Sequence, residues 1–144
     1  MNRSGSTRWW TPRSKSGARD CTMRRFALRS APAMLLSVHS YTPVYLGQRR
    51  AVEVGVLFDA YDELAEPLCE ALSAAGFDAR LNEPYSGKPP HNLIYSAKHH
   101  GDAHGVPYLE LEVRQDLIAT PAAAAAVARR IAPALASLQA ARAS

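Results

Sequence analysis

From Tyr108 to Arg114 the chain alternates strictly. Leu109, Leu111 and Val113 share one face of a strand, and Glu110, Glu112 and Arg114 share the other. Gly105-Val106-Pro107 leads into it, and Leu117-Ile118 follow. Two carboxylates and a guanidinium on one face of an interior strand are costly unless they are paired or used. This strand is therefore the first place to look for chemistry.

The remaining pattern surrounds it with alternating strands and helices. The apolar run Ala33–Val38 reads as a buried strand ending in His39-Ser40-Tyr41-Thr42-Pro43. A histidine and a hydroxyl residue before a proline turn sit where α/β proteins place functional groups. Gly47 to Arg50 reads as a turn, and Val52–Phe58 as a second buried strand in which Gly55 marks a close backbone approach. Asp62 is the expected cap of a helix running to about Ala75, with Leu64, Leu68, Ala71, Leu72 and Ala75 as its apolar stripe and Gly76 as its stop. Pro67, near the first turn, predicts a late start or a bend.

Phe77–Leu81 reads as a short third strand. Asn82 to Pro90 is an irregular loop, and Leu93–His100 forms one or two helical turns. Thr120-Pro121 predicts a capped helix start, after which the alanine run carries a stripe of Val127, Ile131, Leu135 and Leu138. Pro133 predicts a kink or split there. The alternation argues an α/β fold with a mostly parallel or mixed sheet flanked by helices.

Composition narrows the picture. A chain of 144 residues that is 47% hydrophobic suits one domain with a real core. Two cysteines, Cys21 and Cys69, fit neither a disulfide framework nor a zinc ribbon, which favours a cytoplasmic setting. The net charge of +4 is uneven. Residues 1–30 hold Arg3, Arg8, Arg13, Lys15, Arg19, Arg24, Arg25 and Arg29 against Asp20 alone. Without them the body, residues 31–144, is mildly acidic, so neither nucleic-acid binding nor membrane association is expected of it. Residues 1–30 read as a basic, disordered leader. A transit peptide and a start outside the domain's own coding sequence are the other readings. His99, His100 and His104 do not suggest a joint metal site, since adjacent histidines point apart on a regular element.

Several motifs in this order resemble the N-formylglutamate amidohydrolase (N-formylglutamate deformylase) family. They are Val38-His39-Ser40-Tyr41-Thr42-Pro43, Val54–Asp59, Asn82-Glu83-Pro84-Tyr85-Ser86-Gly87, His100 with Gly105-Val106-Pro107, and Glu110–Ile118. The resemblance implies a zinc-carboxypeptidase-like α/β fold and a Zn2+ (or other divalent metal) amidohydrolase acting on N-formyl-L-glutamate or a related N-acyl acidic amino acid in histidine degradation. It implies that His39 is a metal ligand and that Glu112 activates the water.

Amide hydrolysis needs a polarised carbonyl, a nucleophile at neutral pH and a proton carrier to the leaving amine. On that logic Arg114 grips a substrate carboxylate as a bidentate fork, while Asn82, Tyr85 and His100 bind substrate or the oxyanion. Glu110 is expected to pair with Arg114 or Lys98. The family's other metal ligands lie in an earlier histidine-and-acid motif, and residues 1–32 contain no histidine. The chain is accordingly expected to be a truncated form, incomplete at its N-terminus, of marginal stability and open to homo-oligomerisation. The rival expectation is a catalytically dead fragment acting as a binding or assembly module.

Overall fold

The computed structural model describes residues 33–142, so the leader lies outside the described residues. Its elements, in chain order, are β1 (Leu35–Tyr41), β2 (Val44–Tyr45), β3 (Gln48–Arg49), β4 (Val54–Leu57), α1 (Asp62–Ala74), β5 (Ala79–Leu81), α2 (Tyr95–His104), β6 (Tyr108–Arg114), a 3₁₀ turn (Gln115–Ile118) and α3 (Pro121–Ala141). The main sheet has the order β1-β6-β4-β5. β1 and β6 run parallel, as do β4 and β5, and the central β4–β6 pair is antiparallel. The fold is thus α/β with a mixed sheet flanked by helices. β2 and β3 form a separate tight hairpin, with Leu46 and Gly47 at positive φ in its turn.

The two faces of the sheet have different jobs. Val54 and Val56 of β4 and Leu109, Leu111 and Val113 of β6 point to one side. There they join Leu64, Leu68 and Leu72 of α1 and Val127, Ile131 and Leu138 of α3 in the main core. The other face carries a smaller apolar cluster of Leu57, Ile94, Ala97 and Tyr108 beneath α2. Beyond that cluster the same face is polar.

Local chemistry explains the helix ends. At the end of α1, Gly76 (φ 85°) donates to Ser73 O and Phe77 donates to Leu72 O, the two bonds of a Schellman motif. Thr120 caps α3 by accepting from Ala123 N at 3.1 Å, with Pro121 at the first helical position.

Five expectations are corrected. Asp62 is the first helical residue of α1 rather than its cap; the cap is Tyr61, in the left-handed region, and Asp62 instead pairs with Lys88 at 2.8 Å. Pro67 lies inside α1 and does not delay its start, and α3 continues through Pro133 as one helix. β1 begins later and runs further than expected, so His39 lies within the strand and not at its end. Among the described residues it is also an edge strand rather than a buried one, and Val38 is 64% exposed.

Candidate active site

The alternation of β6 places Tyr108, Glu110, Glu112 and Arg114 on the face away from α1 and α3. All seven residues of this strand are buried, the two glutamates included. Register then fixes their neighbours. Ser37 lies beside Glu110, His39 beside Glu112 and Tyr41 beside Arg114 on β1, while Gly55 flanks Glu112 from β4. The row His39–Glu112–Gly55 therefore crosses three strands. An added Cβ on Gly55 would lie 2.1 Å from the Glu83 carbonyl oxygen, so the absent side chain lets the Asn82–Gly87 loop fold over the site.

His39 Nε2 lies 2.8 Å from Ser37 Oγ and 3.6 Å from Glu110 Oε2. One ligand atom from each of His39, Glu110 and Glu112 falls within 4.8 Å of the others. Glu112 Oε2 is buried and, among the described residues, has no hydrogen-bond partner. Burial holds the Glu112 carboxyl above its ordinary range, helped by the neighbouring Glu110; burial also raises Glu110, against the pull of His39. Two buried carboxylates with one exposed imidazole are short of positive charge. An orphaned carboxylate oxygen in a group that also offers an imidazole nitrogen is the arrangement a divalent cation would complete, and the nitrogen–oxygen donor set suits zinc. These three residues form an open cleft of about 400 Å³ with Tyr85, Asn92, Leu93, Tyr95 and Ser96.

The expected site residues divide on inspection. His39, Glu112 and Tyr85 meet at the cleft. Glu110, expected to pair with Arg114 or Lys98, instead joins His39 and Glu112, because β-strand alternation carries it onto the same face two residues away. Lys98 is taken by Asp59 at 2.7 Å.

Arg114 is not a free fork. Its Nε donates to Asp116 Oδ1 at 2.7 Å, and its Nη1 donates to the carbonyls of Arg50, Ala51 and Val52 at 3.2, 2.7 and 3.2 Å. Its Nη2 lies 3.7 Å from Glu53. Asn82 sits at positive φ and accepts from Phe58 N and Gly87 N through Oδ1, so it shapes the loop from within. His100 lies exposed on α2, its ring edge-on to His99 with centroids 5.3 Å apart. Sequence reasoning missed Ser37, whose spacing from His39 was the available sign.

The chain matches the N-formylglutamate amidohydrolase family over residues 15–119. It belongs to that family. A crystal structure of a gene product from Agrobacterium tumefaciens is similar to it at 31% identity and a TM-score of 0.64, over 75% of this chain. The chain spans 44% of that protein's length. No curated protein matches it. The family is described as one of amidohydrolases, and the His39–Glu110–Glu112 group lies within the matched residues.

Proposed function

We propose that the chain, or the longer assembly to which its cleft contributes, is a metal-dependent amidohydrolase that cleaves the formamide C–N bond of N-formyl-L-glutamate or a related N-acyl acidic amino acid. One observation carries the reading: the buried, unpartnered Glu112 oxygen facing His39 across adjacent strands. His39 and Glu110 are suited to hold a zinc ion, with Glu112 beside it. A bound zinc supplies Lewis acidity towards the formyl oxygen and lowers the pKa of water.

The protein's own residues do the rest. Glu112, its basicity raised by burial and by Glu110, takes the proton of the attacking water and carries it to the leaving nitrogen. Products are formate and the free amino acid. Ser37 holds the His39 ring in place from within β1. Leu57, level with Glu110 on the neighbouring strand, and Ile94 belong to the apolar cluster beneath α2 that supports this face of the sheet. By the same reading the substrate is a small molecule of the histidine-degradation type and the setting cytoplasmic; among the described residues no helix is long and apolar enough to cross a membrane.

The test is formate release from N-formyl-L-glutamate by the full chain, with and without added zinc. Zinc-dependent release that falls by about 10³-fold or more in Glu112→Gln supports the reading. Release unchanged in that variant contradicts it. A folded chain that neither binds zinc nor turns over would favour the binding-module reading, for which the exposed edge of β1 offers a surface.

A further inference from the structure

Arg114 is engaged, and the segment it engages ends in a second arginine. The three carbonyls that accept from its Nη1 belong to Arg50, Ala51 and Val52, so the buried guanidinium fixes the backbone strap between β3 and β4. Arg50 N donates to Pro43 O at 2.9 Å, which pins the same strap to the β1–β2 corner. The side chain of Arg50 then lies among three tyrosines. Its guanidinium carbon stands 4.7 Å from the Tyr45 ring centroid, 5.1 Å from Tyr85 and 5.3 Å from Tyr41. Its Nη1 donates to Tyr85 Oη at 2.9 Å.

The tyrosine cage orients the guanidinium without neutralising it. Tyr41 donates its own hydroxyl proton to Val52 O, and burial pushes that hydroxyl up to about 12, so it stays uncharged at neutral pH. No carboxylate among the described residues pairs with Arg50. Around it Arg49 and Arg114 share Asp116, and Lys88 has Asp62. Tyr85 lines the cleft, and Tyr41 is level with Arg114, one step along β6 beyond Glu112.

We propose that Arg50, held by Tyr41, Tyr45 and Tyr85 beyond the His39–Glu112 row, is the specificity-determining anchor for a substrate carboxylate. The inference rests on the amidohydrolase reading above and adds to it the residue that selects acids over neutral amides. An acidic substrate entering a cleft floored by two buried carboxylates meets repulsion unless a cation receives its own charge. A guanidinium with donors to spare and a preset orientation supplies that charge, and its planar fork fits a carboxylate. Because the cage fixes Arg50 beforehand, little side-chain freedom is lost on binding.

Calorimetric titration of the full chain with N-formyl-L-glutamate, and separately with its neutral dimethyl ester, tests this. The wild type is expected to bind the acid about tenfold to a hundredfold more tightly than the ester. Arg50→Gln should remove that preference, while binding of the ester stays within about twofold. Arg50→Lys, which keeps the charge and loses the fork, should fall between them. Tyr85→Phe, which leaves the charge and frees Nη1, should weaken acid binding by severalfold, and it provides the comparison if Arg50→Gln fails to fold. A wild type that does not prefer the acid overturns the proposal. So does a folded Arg50→Gln or Tyr85→Phe that retains the full preference. Formate release on the same samples separates the two claims: acid preference lost in Arg50→Gln with no turnover in any sample leaves the anchor standing and sinks the hydrolytic reading.

Discussion

Arg114 shows how a charged residue on the active face can be structural. It is 6% exposed, and its donors go to Asp116 and three backbone carbonyls. Removing it takes a donor from Asp116 and one shared donor from all three strap carbonyls, and leaves a cavity at a buried position of β6. Arg114→Ala should therefore lower stability by about 3 kcal/mol, measured by urea unfolding, with Arg114→Lys recovering part of the loss. An unchanged midpoint would show that the strap holds without it. The contrast with Glu112 lies in partners: Glu112 leaves an oxygen unsatisfied where Arg114 leaves no comparable vacancy. The alternation of β6 identified both residues as unusual, but alternation assigns a face and not a partner. The three carbonyls that claim Arg114 come from a strap more than sixty residues earlier, carrying no motif of its own. Hence alternation put Glu112 and Arg114 on one face, where Glu112 lines the cleft, and could not show that the strap holds Arg114.

Elements are held in register around the cleft by two devices. The first is Gly55, whose face is occupied by the Glu83 carbonyl. Gly55→Ala should push the Asn82–Gly87 loop off β4 and cost about 1–3 kcal/mol in chemical denaturation. Stability and substrate binding both at wild-type levels would refute that packing.

The second device joins the turn after β4 to α2 and β6. Lys98 Nζ reaches Asp59 at 2.7 Å and Tyr108 Oη at 3.1 Å, and Tyr108 donates to Asp59 at 2.8 Å. Burial alone would raise the Asp59 carboxyl, but the hydrogen bonds from Lys98 and Tyr108 outweigh it and leave it below its ordinary value of 3.8. The hydrogen bond to Asp59 raises Lys98 above its ordinary 10.5. A depressed carboxyl stabilises the fold above its unfolded value and loses that contribution as pH falls below 3.8. A raised ammonium stabilises below its unfolded value and loses that contribution as pH climbs past 10.5. Melting temperatures across pH should fall at both limits, and Asp59→Asn should flatten both. An Asp59→Asn profile parallel to the wild type would rule the network out as their source.

Strand β6, the capped start of α3 and the glycine stop of α1 were legible because each depends on local pattern. The edge position of β1 was not, since an apolar run looks the same whether one or both of its sides are covered.

At the scale of the whole molecule, the sheet divides labour between its faces. Two helices seal one side with a continuous apolar core, while α2, the hairpin strap and the Asn82–Gly87 loop frame the other. The sealed side pins β4 and β6, and that rigidity places the glutamates within reach of His39 despite the cost of burying them. A cation that binds beside two poorly compensated buried carboxylates should stabilise the fold. Zinc titration of the metal-free full chain by calorimetry examines this directly. One zinc ion should bind per chain, with affinity falling by about 100-fold or more in both His39→Ala and Glu110→Gln. Zinc binding of wild-type strength in these variants, or none in a folded wild-type chain, would contradict the account.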